Sequence, residues 1–261
     1  MTEPAATAHP PRVALFVTCL ANVFRPAVAE ASVQLLRAAG CEVHVPLAQS
    51  CCGQPGYNSG AIASARPVAQ QLILAFEDFD YVVAPSGSCA GMIRHHYPRL
   101  FADDPPWRER AQALGDKTFE LTAFLADVMH FAPAPTRGTA ARTITYHDSC
   151  AGLRELGIRA QPRQLLAAAG VTLTEMQGTE VCCGFGGTFC AKLPEISVAM
   201  ADEKLGNALA AGADMLVGGD LGCLLHLCGR AQAAGKSLEF RHVSELLAGR
   251  LDRAALGKEQ T

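Results

Sequence analysis

The sequence predicts an α/β protein built as two duplicated, pseudo-symmetric halves, each a parallel sheet with cysteines at the C-terminal ends of its strands. Three observations predict it. A cysteine pattern occurs twice: Cys19, Cys51–Cys52–Gly53 and Cys89, then Cys150, Cys182–Cys183–Gly184 and Cys223. Cys19 to Cys51 and Cys150 to Cys182 both span 32 positions; an offset of 131 relates the first three cysteines of each half, and Gly56 to Gly187, while 134 relates the fourth. Such self-similarity is the mark of a repeat. Short β-branched runs also alternate with helical stretches in the same order in both halves, and each run leads into a cysteine.

The elements follow in chain order. RVALFVTC (Arg12–Cys19) is apolar and β-branched, as a buried parallel strand should be. A helix is expected over Arg25–Ala39, with Pro26 in its first turn and Gly40 ending it. CEVHVP (Cys41–Pro46) is a second strand, and the Cys-Cys-Gly loop comes next. Ala61–Phe76 reads as a helix with Pro67 as a kink or a late start. DYVVAP (Asp80–Pro85) is a third strand, with Cys89 just beyond it. In the second half RTITYHDSC, VTLTEM and DMLVGGD are strands, and Gln161–Ala169 and Pro194–Ala211 are helices closed by Gly170 and Gly212. Strands alternating with helices imply a parallel sheet with right-handed crossovers. The expected division is a tail (1–11), a first domain (12–102), a linker region (103–138) with room for a helix over Leu114–Met129, a second domain (139–250) and a tail (251–261).

Composition narrows the function. The chain has 261 residues, 49% hydrophobic and 18% charged, with a formal net charge of −3, so it reads as globular. Charges are scattered, and nothing resembles the basic footprint of a nucleic-acid or anionic-membrane binder. No apolar run reaches the roughly 18–20 residues needed to span a bilayer, and MTEPAATAHPP does not read as a signal peptide. A cytoplasmic location is expected. Thiols stay reduced there, so the 11 cysteines point to metal or redox chemistry rather than to a disulfide framework.

Strand C-terminal ends of a parallel sheet face one crevice. Cys19, Cys51, Cys52 and Cys89 should therefore converge, as should Cys150, Cys182, Cys183 and Cys223. Four thiolates can hold a tetrahedral zinc or an iron–sulfur cluster. Structural zinc favours Cys-x-x-Cys knuckles, which are absent, and adjacent thiols, which tend to diverge, ligate one zinc only with strain. A cluster presents separate irons and suits them better. The glycine after each pair permits positive φ or a close backbone approach. Zinc-binding and redox-active thiols remain alternatives at this point.

The repeated Cys–x31–Cys-Cys-Gly…Cys pattern resembles the cysteine-rich CCG domain family, which includes the CCG-bearing component of heterodisulfide reductase and the iron–sulfur subunit of glycolate oxidase. The resemblance runs from about Arg12 to Leu247. PSGSCAGMIRHHYP, YHDSCAGLRELGI and CCGFGGTF are most similar to a branch of the family that works with two partner subunits to oxidise L-lactate to pyruvate. The resemblance implies one or two 4Fe–4S clusters on the eight motif cysteines, and an electron-transfer subunit of an NAD-independent oxidoreductase whose partners include a ferredoxin-type iron–sulfur protein. The alternatives are a heterodisulfide-reductase-like thiol–disulfide reductase and a zinc-stabilised scaffold. The family pattern ends in Cys-x-x-Cys, whereas here the first position of that pair is Ser86 or Asp220. Each site thus lacks the fifth cysteine that heterodisulfide reductase uses for its non-cubane cluster. Asp220 is a secondary ligand candidate, with helix capping as its plainer role.

Other residues carry weaker signals. Cys190, seven residues past Cys183, and His226, three past Cys223, are further secondary candidates. Cys41 and Cys228 read as buried free cysteines. His147 suits either a hydrogen bond near the second site or packing. His95 and His96 read as surface residues at a helix end. GFGGTF lacks the third glycine of a dinucleotide loop.

Overall fold

A computed structural model describes residues 9–258. Strand β1 (Arg12–Leu15) lies between β2 (Glu42–His44) and β3 (Tyr81–Ala84), and β4 (Thr118–Glu120) pairs with β3. All pairings are parallel, in the order β2-β1-β3-β4. The second sheet has the order β5 (Ile144–His147), β6 (Met215–Gly218), β7 (Glu239–His242), again parallel. The expected duplicated α/β architecture is therefore present, with matching strand order in the two halves.

Side-chain alternation shows how the layers form. Val13, Leu15 and Val83 of the first sheet, with Ile144, Met215 and Val217 of the second, face one shared core. That core is filled by helical residues including Leu35, Leu36, Phe124, Leu165 and Leu246. Ala14, Phe16, Val82 and Ala84 face the first half's own outer core, and Leu216 and Phe240 that of the second. Each sheet is buried on both faces, which is why its strands read as apolar runs.

Several expectations change in detail. VTLTEM forms only an isolated bridge, Leu173 to Ile144. Beyond Thr174, whose N–H donates to Ile144 O at 2.8 Å, the ladder stops because the Thr145 hydroxyl takes the Met176 N–H at 3.1 Å. The RVALFVTC strand ends at Leu15, and the chain turns into a helix, Cys19–Phe24, before a second helix, Pro26–Ala38. The break falls at Arg25, where Pro26 disfavours helical backbone in the preceding residue. Pro67 sits inside the continuous helix Ile62–Phe76. The stretch Leu114–Met129 is not one helix: Pro105–Asp116 is helical, β4 follows, then a short turn of helix at Leu121–Ala123 and a π-helical turn at Phe124–Val128. β4 and β7 escaped the sequence reading because they are three and four residues long and carry charged side chains.

The halves meet at the strand ends. Asp220 Oδ2 accepts hydrogen bonds from Ser86 Oγ at 3.0 Å and from Ser88 N–H at 3.1 Å. His242 Nε2 donates to Pro85 O at 3.2 Å, its Nδ1 accepting from Ser244 N–H. Helix Gly87–Gly91 approaches helix Cys150–Leu156 so closely that a Cβ on Gly87 would lie 2.8 Å from Gly152 Cα. A buried ion pair, Arg25–Glu245 at 2.6 Å, ties the amino-terminal helices to the end of the second half. No helix among the described residues is long and apolar enough to cross a membrane.

Candidate metal centres

The first nest forms where β1, β2 and β3 end. Thr18 caps the helix that begins at Cys19, its hydroxyl accepting from Ala21 N–H at 3.4 Å. Gln49 pins the next loop to β1: its Oε1 accepts from Val17 N–H at 2.7 Å and its Nε2 donates to Leu15 O at 3.3 Å. That brings Cys51 Sγ to 3.8 Å from Cys19 Sγ. The buried Tyr97 hydroxyl donates to Cys52 O at 2.8 Å and fixes the second cysteine of the pair. After β3, Ser86 caps the helix that carries Cys89 in its first turn, its Oγ accepting from Cys89 N–H at 3.4 Å.

The second nest repeats the plan. Cys150 is the first residue of its helix, and Cys223 lies in the first turn of helix Leu221–Ala233. Asp220 caps that helix through Oδ1, which accepts from Gly222 N–H at 3.2 Å. It takes the capping role weighed for it while its other oxygen bonds across to Ser86. In both loops the glycine has positive φ, +79° at Gly53 and +89° at Gly184, and turns its N–H back to the first cysteine of the pair at 3.4 Å. Gly184 is also a close-approach site, because a Cβ there would lie 2.5 Å from Ser197 O.

The electrostatics are parallel. The Cys51 thiol is pushed well below its usual range by hydrogen bonds from Cys19 and Cys52, and Cys182 likewise by Cys150 and Cys183. Cys19 and Cys150, the donors, are pushed up in turn. Each nest therefore favours a thiolate at one cysteine, and thiolate is the form that binds metal. The two nests open into adjoining cavities. One of about 350 Å³ is lined by Cys19, Cys51, Cys52 and Cys89; one of about 290 Å³ by Cys150, Cys182, Cys183 and Cys223. Gln54, Ser88, Phe185, Gly187 and Asp220 line both, so the two sites share a wall.

The eight motif cysteines thus gather as two sets of four. Of the secondary candidates, Asp220 lines both cavities, and the other two make bonds elsewhere. Cys190 donates to Gly187 O at 3.1 Å, and His226 Nε2 is held by Ser197 Oγ at 3.2 Å. Cys41 and Cys228 are buried in the cores. His96 pairs with Glu155 at 3.1 Å. His147 behaves otherwise. Its ring is buried, neither nitrogen has a hydrogen-bond partner, and its nearer nitrogen lies within 4.8 Å of Cys183 and Cys223 Sγ. Burial, with the Lys204 ammonium nearby, pushes it down to about 3, so the imidazole is neutral. Sequence reasoning missed Gln49 and Tyr97, whose roles exist only through contacts 32 and 45 positions away.

The donor chemistry fits a thiophilic metal: paired thiol nests, backbone N–H groups aimed at sulfur, and an orphaned buried imidazole beside one of them. Such strand-end thiol nests define a duplicated cysteine-rich metal-binding fold. The CCG "Cysteine-rich domain" matches residues 13–94 and again 144–228, and the chain belongs to that family. It is 46% identical over 242 residues to "Lactate utilization protein A" of Bacillus cytotoxicus, covering 92% of this chain and 99% of that protein. It is 45% identical over 240 residues to the protein of the same name from Bacillus thuringiensis, with the same coverage. Among solved structures, glutamate racemase from Thermus thermophilus overlaps at a TM-score of 0.35 with 13% identity, over 94% of this chain and 79% of that one, too slight a likeness to bear on fold or activity.

Proposed function

We propose that the chain is an iron–sulfur electron-transfer subunit of an NAD-independent, cytoplasmic assembly that oxidises L-lactate to pyruvate. The observation that carries the reading is the pair of four-thiol nests opening into cavities with a common wall. Cys19, Cys51, Cys52 and Cys89 would hold one 4Fe–4S cluster, and Cys150, Cys182, Cys183 and Cys223 the other. When bound, such clusters supply reversible one-electron storage. The chain's residues set the conditions for it. Gly53 and Gly184 N–H groups stabilise charge on Cys51 and Cys182 sulfur. Phe185 stands in the wall between the nests, and Leu20 and Leu221 line the first cavity and limit its water. The lactate assignment draws on the names of the relatives, and the expected partners are the other proteins of that system, including a ferredoxin-type iron–sulfur protein.

The test is iron, sulfide and zinc content of protein purified without oxygen, with its visible spectrum. About eight irons and eight sulfides per chain, with absorbance near ~400 nm that bleaches on reduction, is the expected result. Colourless zinc protein that resists cluster reconstitution would overturn the reading in favour of a scaffold. A thiol–disulfide reductase is the second reading, favoured by the exposure of Cys19 at the mouth of the first cavity. It requires turnover of a small disulfide by the isolated, reduced protein.

A further inference from the structure

The duplication makes each half a control for the other. Strand β1 leads into its nest through Phe16, and β5 leads into its nest through His147, the position 131 further on. Phe16 is fully buried and packs edge-on against Phe76 at 5.8 Å, an ordinary apolar core contact. His147 is equally buried, at 1% exposure, yet both ring nitrogens lack partners. A neutral imidazole carries one donor and one acceptor. Leaving either unpaired in a core costs free energy, and buried polar side chains are nearly always paired.

The neighbours do not relieve it. Lys204, whose charge acts on His147, spends its ammonium on Gly178 O and Thr179 O. Thr145 is two residues away on the same strand, but its hydroxyl bonds to Met176 N–H instead. What His147 does face is sulfur: one ring nitrogen, Cys183 Sγ and Cys223 Sγ all lie within 4.8 Å of one another, with no hydrogen bond between imidazole and thiol. Two thiols and an imidazole at that separation form a donor set that one metal atom can draw together. Imidazole is a good ligand for iron, and histidine replaces cysteine in some iron–sulfur centres, where it raises the potential.

We propose that His147 is a ligand of the second metal centre, beside Cys183 and Cys223, so that the halves hold centres of different donor sets: thiolate alone in the first, thiolate with imidazole in the second. The proposal rests on the iron–sulfur reading above. Asp220, at the position of the family's further cysteine, is committed to capping and to Ser86, and His147 is the donor left without a partner beside the thiols.

The experiment is pulsed EPR on reduced, cluster-reconstituted full-length chain with ¹⁵N-labelled histidine, preceded by iron and sulfide analysis of the same sample. The expected result is a strong, directly bonded nitrogen coupling that disappears in His147→Asn and persists in His226→Gln. A His147→Cys variant should keep its iron and shift one of two reduction potentials downward, leaving the other in place. Iron in both centres without directly bonded nitrogen, or with only the weak coupling of a hydrogen bond, overturns the inference and leaves the function standing. Absence of iron and sulfide overturns both. Because the coupling is read in the unsubstituted protein, a variant that fails to fold does not decide the matter.

Discussion

The two nests share a blueprint and differ in their surroundings. Around the first, the positions leading out of β1 are Phe16 and Val17, and a cysteine, Cys19, is exposed at the mouth. Around the second, the equivalent positions are His147 and Asp148, with Asp148 paired to Arg163 at 2.9 Å and Lys204 buried nearby. Duplication kept the thiols and let the environment diverge from apolar to polar. Ligand identity and nearby charge are what tune such centres, so one fold can hold two centres of different potential.

The largest test of that comparison is to remove one nest at a time. Cys52→Ser and Cys183→Ser should each lower iron content from about eight to about four per chain, and each should abolish a different component of the reduced EPR spectrum. Loss of all iron from either variant would mean that the centres are not separable.

The glycine loops come next. At Gly53 an added Cβ finds its nearest neighbour at 3.5 Å, whereas at Gly184 it meets Ser197 O at 2.5 Å. Both positions have positive φ. Denaturant unfolding of metal-free protein should show Gly53→Ala costing about 1 kcal/mol and Gly184→Ala about 3 kcal/mol or more, because overpacking adds to backbone strain. Equal costs would break the asymmetry.

The last strands of the halves end in a matched pair of opposite sign. Glu120 ends β4 and caps the following turn, with Oε2 accepting from Thr122 N–H at 2.8 Å and Ala123 N–H at 3.1 Å. His242 ends β7 and caps its helix. Burial pushes Glu120 up from 4.5 to about 7 and pushes His242 down. Between pH 4.5 and 7 the folded chain holds a proton on Glu120 that the unfolded chain has lost, so this group makes stability fall as pH rises through that window. The total is up to about 3 kcal/mol. His242 acts the other way, because only the unfolded chain binds its proton in acid. Glu120→Gln should remove the falling limb, read as the difference between wild-type and variant unfolding free energies across pH 4–8; an unchanged profile would contradict the assignment.

The smallest effect lies on the seam. Ser86→Ala removes the hydrogen bond to Asp220 and the cap on Cys89 N–H, for about 1.5 kcal/mol. Asp220→Ala loses that bond, the Ser88 contact and the helix cap together, for about 2 kcal/mol, visible as a lower melting temperature. Similar losses from both would imply that the Ser88 contact contributes little.

Read as a linear pattern, the chain already contained the duplication, the parallel α/β class and the grouping of eight cysteines by fours. Those features rest on local regularities: apolar strand runs, helix punctuation and constant spacing between cysteines. Strand ends of a parallel sheet converge as a matter of topology, so the nests were legible before any tertiary contact. What only the tertiary structure decided is how the halves meet and what that adds. The Ser86–Asp220 bond, the common wall at Phe185, the short strands β4 and β7, and the placing of His147 against Cys223 join residues tens of positions or more apart. No periodicity encodes such contacts; they follow from packing two sheets around one shared core, and that packing sets which polar groups find partners and which, like the His147 imidazole, do not.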